Sequence, residues 1–173
     1  MRPSIIATLL PSLLLVGACT AQFDWRQLQI AQTPLQVLLP CKPEYASRRM
    51  DMGGQNVDLA IASCTTAGVT VAVGHAALAD PLGAGLVLAH WRRATLATMR
   101  ATQVVQSAFR LSNTREIADA VAVQATGSGP DGRPLVLRAA WFTQGRAAYV
   151  AMIYGPDLSP EVVDTFFSGL RLQ

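Results

Sequence analysis

Lysine is almost missing from this chain: Lys42 stands alone, and every other basic residue is an arginine. Charged residues of both signs make up only 14% of the 173 positions, against roughly a quarter in an average soluble protein. That shortage excludes a disordered polyelectrolyte. The net charge of +3 reflects few acids and not a concentrated basic face, which argues against nucleic acid as a partner. Histidine occurs twice, at His75 and His90, with no second ligand at HxxxH or HExxH spacing, so no metal site is expected. Cysteine occurs three times, too few for a disulfide scaffold. Nucleophile elbows of GxSxG type are absent, and Ser107 and Ser112 have no base visible in sequence. Gly127-Ser128-Gly129 lacks the lysine and following helix of a phosphate loop. Glu116 and Asp119, three apart in a strand-like stretch, are expected on opposite faces and not as a catalytic pair. The expectation is a chain that is not an enzyme, with no catalytic residue and no cofactor.

What is present begins at the N-terminus. Arg2 gives a positive start, Ile5 to Val16 form an apolar stretch interrupted by Pro11, and the small Gly17 and Ala18 precede Cys19. This is signal-peptide layout, and the apolar stretch is short for a bilayer core of about 30 Å. Val16-Gly17-Ala18-Cys19 resembles the bacterial lipobox: an aliphatic residue, two small residues and a cysteine. The resemblance implies a signal peptide over residues 1–18, cleavage before Cys19 and lipidation of its thiol. Two or more acyl chains suffice for stable membrane anchoring. Thr20, standing where an aspartate would retain a lipoprotein at the inner membrane, points by the same resemblance to the outer membrane, periplasmic side. The alternatives are a soluble periplasmic protein cut near Ala21, and an uncleaved anchor.

Cys41 and Cys64 then remain as an even pair, and in an oxidising compartment such a pair is expected to be bridged. A loop of that length is stabilised by about 3 kcal/mol in the chain-entropy account. A redox pair is the sharper alternative, but there is no CxxC spacing and no adjacent basic cluster to activate a thiol.

Residues 19–33 read as a lipid-anchored tether, with Phe23, Trp25, Leu28 and Ile30 marking a part that docks, and residues 34–173 as a single domain. Strands are expected at Leu35–Leu39, Glu44–Met52, Asn56–Cys64 and Val69–Gly74, arranged as a meander, with a turn at Gly53-Gly54. One long helix is expected from Gly85 to Ser107, with Leu88, Trp91, Thr95 and Met99 on its inner stripe and His90, Arg93 and Arg100 outward. Three more strands follow at Thr114–Thr126, Pro134–Thr143 and Arg146–Tyr154, the last two joined at Gln144-Gly145. A C-terminal helix opens at Ser159-Pro160 and buries Val163, Phe166, Phe167 and Leu170.

The fold class expected is α+β: an antiparallel sheet of about six to seven strands covered by one long helix and a C-terminal helix. This order, with the closing Phe166-Phe167-Ser168-Gly169-Leu170-Arg171-Leu172, resembles the PsbP-like α/β/α sandwich. Leu39-Pro40-Cys41-Lys42-Pro43, Gly155-Pro156 and Thr165-Phe166-Phe167 are similar to an uncharacterised proteobacterial lipoprotein family. Neither resemblance carries an activity onto particular residues. The function expected is therefore a non-catalytic interaction or assembly module of the bacterial envelope, held to the membrane by its lipid and engaging an envelope protein partner. A small-ligand or lipid-binding lipoprotein, with a cleft between sheet and helix, is the alternative. An enzyme built around His75 and Asp80 ranks behind both. Arg48-Arg49 and Arg92-Arg93 are read as solvated basic pairs.

Overall fold

The computed structural model describes residues 22–30, 32–111, 117 and 120–173. Cys19 and the signal segment lie outside the described residues, as do Ser112, Glu116 and Asp119. In chain order the elements are β1 (Arg26–Gln29), β2 (Leu35–Leu39), β3 (Glu44–Met52), β4 (Gln55–Thr66), β5 (Val69–Ala77), α1 (Ala84–Thr98), β6 (Gln103–Ala108), β7 (Val121–Ser128), β8 (Pro134–Gln144), β9 (Ala147–Gly155), α2 (Pro160–Ser168) and β10 (Arg171–Leu172). The fold is α+β. A seven-stranded antiparallel sheet runs β3-β4-β5-β9-β8-β7-β6, and a three-stranded sheet runs β1-β2-β10.

Tight turns set the register of the large sheet. Gly53 and Gly54, at φ 67° and 87°, close the two-residue loop in which Met52 faces Gln55, as the Gly-Gly signal implies. Gly145, at φ 57°, opens the equally short loop that pairs Gln144 with Ala147. Alternation then sends each strand's residues to two faces. One face carries Val71, Val73, Phe142, Tyr149, Ala151 and Ile153, and packs against β2 and against Val162, Phe166 and Leu170 at the C-terminus. The other carries Val57, Leu59, Ala76, Val123, Leu137 and Val150, and packs against Val87, Leu88 and Trp91 of α1. Gly74 allows that second contact: a Cβ there would lie 2.8 Å from the Trp91 ring.

Three expectations about the strands and the long helix are corrected. Leu35–Leu39 does not join the meander; it pairs with β1 and β10 in the smaller sheet, because Leu35, Val37 and Leu39 are needed over the Phe166 side of the core. The part of the tether expected to dock does so as strand β1, Leu28 pairing with Val37 and the Asp24 amide donating to the Pro40 carbonyl at 2.9 Å. The long helix stops at Thr98. Arg100 turns left-handed at φ 47°, its amide bonds the Ala97 carbonyl and the Ala101 amide reaches the Leu96 carbonyl, a Schellman stop without the usual glycine. Gln103 to Ser107, expected as the end of that helix, instead belong to the edge strand β6, consistent with the β-branched Val104 and Val105. Finally, the strand expected over Thr114–Thr126 runs from Val121 to Ser128 in its described part, so Gly127-Ser128 is strand and the turn falls at 129–133. On α2 the fully sheltered residues are Val162 and Phe166, while Val163 and Phe167 are half-buried.

Cys41 and Cys64 are joined by a disulfide, their Cα atoms 5.9 Å apart. They do not sit on neighbouring strands of one meander. Cys64 belongs to β4 and Cys41 to the link between β2 and β3, so the bond ties the small sheet's exit to the large sheet.

Candidate functional site

Seven strands at about 4.8 Å spacing make a sheet roughly 29 Å wide, whereas one helix with side chains is about 10–12 Å across. On the face that carries β2 and α2, a helix and three further strands share the covering. On the opposite face α1 works alone among the described residues, so the sheet's flank beside it cannot be closed by backbone. A cleft of about 400 Å³ lies there, within the range of roughly 300–1,000 Å³ usual for small-ligand sites.

Its floor is Leu59 and Ile61 of β4, Met152 and Tyr154 of β9, and Leu135 and Leu137 of β8. Its wall is the flank of α1 from His90 and Trp91 to Thr98 and Met99. The far rim is β3, where alternation presents Arg48, Met50 and Met52 on the same face. Gly129 and Pro130 close one end. Of the chain's five methionines, Met50, Met52, Met99 and Met152 line this one cleft. Methionine's unbranched, polarizable side chain fits a surface that adapts to different apolar shapes.

Among the described residues the lining holds no carboxylate; its ionisable groups besides Tyr154 are Arg48 and His90. The two adjacent arginines of β3 are therefore split. Arg49 points to the other face and forms a two-pronged pair with Asp58, at 3.0 and 3.2 Å. That pair holds the Asp58 carboxyl below its ordinary range, through the hydrogen bond first and the charge second, and raises Arg49 for the same reasons. Arg48 stands over Leu59 at the cleft rim with no acidic partner among the described residues. His90, expected in solvent, is half-buried on the cleft flank of α1. Arg92 and Arg93 remain outside that lining.

The other sequence candidates do not assemble. His75 is half-buried on β5 between Ala60 and Tyr149, on the face away from α1, and burial lowers its pKa. Asp80 instead caps the short turn at Pro81–Gly83, its carboxylate accepting from the Leu82 amide at 2.9 Å. Burial raises the pKa of the Tyr149 hydroxyl; Thr33 pulls the other way, without a full hydrogen bond. Ser107 is exposed on β6. No group of three or more His, Cys, Asp or Glu able to hold a metal occurs among the described residues, nor does a helix long and apolar enough to cross a membrane. Gly127 is fixed by packing: a Cβ there would meet the Met99 carbonyl oxygen at 2.2 Å, where α1 ends against β7.

A second hollow, about 530 Å³, lies between the first described residues and α2, lined by Gln22, Phe23, Trp25, Asp157 and Glu161 among others. Its two carboxylates and polar rim make it a poor host for an apolar molecule. The α1 cleft is the candidate site: an apolar slot in an α+β domain, with a cation at its rim.

No protein-family model matches the chain, and no curated protein matches it. Among solved structures it is similar to PA94 of Pseudomonas aeruginosa, a protein of unknown function, at 11% identity over 79% of this chain and 84% of that one. The TM-score is 0.31, too loose an overlap to carry an argument about either fold or function.

Proposed function

We propose that this chain is a lipoprotein of the bacterial envelope, anchored through Cys19 at the outer membrane with its domain in the periplasm, and that it binds a small apolar ligand or lipid without catalysing a reaction. The observation that carries the binding role is the methionine-lined cleft beside α1. The anchor rests on the signal layout and the Val16-Gly17-Ala18-Cys19 sequence. The Cys41–Cys64 bond is in keeping with an oxidising compartment. A PsbP-like sandwich belongs to the same reading, supported by α1 on one face of the large sheet and α2 with the small sheet on the other.

Native mass spectrometry of the protein purified from envelopes tests this. The expected result is a retained small molecule that is lost when Ala94→Trp fills the cleft from the exposed side of α1. Equal occupancy in both proteins, or none in either, counts against a ligand-binding role. Cys19→Ser is expected to leave uncleaved precursor or to release the domain from membranes; unchanged retention with no loss of acyl mass removes the anchor.

The reading as an assembly module that engages an envelope protein has a different observation in its favour. The edge strand β6 is exposed along its whole length, carries Val104 and Val105, and has neither charge nor proline to guard it. The opposite edge, β3, is protected by Glu44, Arg48, Arg49 and Asp51. An unguarded edge can accept a partner's strand.

A further inference from the structure

Resting on the reading of the α1 cleft as a ligand site, we infer that its ligand is a long-chain carboxylate, with the single tail in the slot and the head at Arg48. Three features of the cleft bear on this. Of the β3 row Glu44, Ala46, Arg48, Met50 and Met52, the cleft is lined by Arg48, Met50 and Met52, so Arg48 stands at the polar end of that lining, and it pairs across the strands with Leu59. Arg48 is exposed and has no carboxylate beside it among the described residues of the lining, while its neighbour Arg49 is paired with Asp58. An anionic head group supplies the missing charge, and a guanidinium fits a carboxylate in two-pronged geometry.

Size and direction agree. The cleft of about 400 Å³ takes its lining from β3, β4, β9 and β8, a volume that suits one flexible tail in preference to a two-tailed phospholipid. Met99, Pro130 and Tyr154 lie toward the end of the sheet where β9 finishes and the β4–β5 turn sits. Thr66, beside that turn, donates to the Gln22 carbonyl at 3.4 Å, so the chain leading back toward Cys19 leaves from the same end. An anchor at Cys19 would bring that end of the cleft toward the bilayer from which a fatty acid would come.

The test uses the full chain carrying Cys19→Ser, handled without detergent, and calorimetric titration with myristate, tetradecanol and tetradecyltrimethylammonium below their micelle concentrations. Myristate is expected to bind about fivefold more tightly than the alcohol, the scale of one partly exposed ion pair, and the cation most weakly. Arg48→Gln, an exposed and conservative change, is expected to erase the preference for acid over alcohol while leaving alcohol binding intact. Ala94→Trp is expected to abolish all three. If acid and alcohol bind alike in the unaltered cleft, or if the preference survives Arg48→Gln, the carboxylate inference is overturned and the apolar cleft stands. If none of the three binds, both are overturned.

Discussion

Both faces of the seven-stranded sheet carry an apolar cluster; apart from the carboxylate-rimmed hollow beside Trp25, the α2 face is closed, and the α1 face is not. Toward β2 and α2, Phe142, Tyr149, Ile153, Phe166 and Leu170 have essentially no exposure, and a disulfide ties the covering layer down. Toward α1, residues of the same kind are left at the sides of a slot, with Ile61, Met152 and Tyr154 only half-buried. The difference is one of covering width and not of hydrophobicity. A closed face converts apolar residues into stability; an open one keeps them available to a ligand.

Substitutions on the two faces break the comparison most sharply. Phe166→Ala is expected to cost about 4 kcal/mol, as a fully enclosed aromatic does. Met152→Ala, half-exposed in the cleft, is expected to cost about 1 kcal/mol. Urea unfolding of both variants measures the contrast, and equal losses would mean that the cleft is closed in solution. Next in size is the bridge. Replacing Cys41 and Cys64 together by alanine is expected to remove about 3 kcal/mol and to leave ligand binding on the α1 side unchanged, since the bond belongs to the closed half. Unfolding and titration of the same variant separate the two effects.

The smallest effect is a pH dependence. His75 lies on the closed side and burial holds its pKa below the ordinary value of about 6.5. The unfolded chain therefore binds the proton more readily, so stability present above about pH 6.5 is lost as pH falls toward the lower folded value. His75→Gln is expected to flatten that part of the profile. A stability curve that still falls between pH 6.5 and 5 with the same slope would assign the dependence to another group.

Much of the fold is legible in the sequence, because its signals are local. Gly53-Gly54 and Gln144-Gly145 mark turns, Val57-Leu59-Ile61 and Val69-Val71-Val73 alternate, and Ser159-Pro160 opens a helix. The Cys41–Cys64 pairing follows from parity and compartment, although the strand arrangement that brings the two cysteines together is different. The end of α1 is not legible, since Arg100 takes a conformation that sequence associates with glycine. Nor is the cleft. Arg48, His90, Leu135 and Tyr154 come from four separate elements, and period-two or helical patterns do not say which apolar positions a single helix will fail to cover. The gathering of four methionines is visible only once the strands are paired. Arg48-Arg49 reads as one basic patch until the pleat divides it between an ion pair and the cleft.

The most direct test of an open α1 face and a closed α2 face is methyl NMR of the full chain, Cys19→Ser, labelled at methionine and isoleucine and titrated with myristate. The account predicts that Met50, Met99, Met152 and Ile61 shift together and saturate, while Ile30 and Ile153 on the closed side stay in place. Shifts confined to Ile30 and Ile153, or no shift at any methyl, would contradict it.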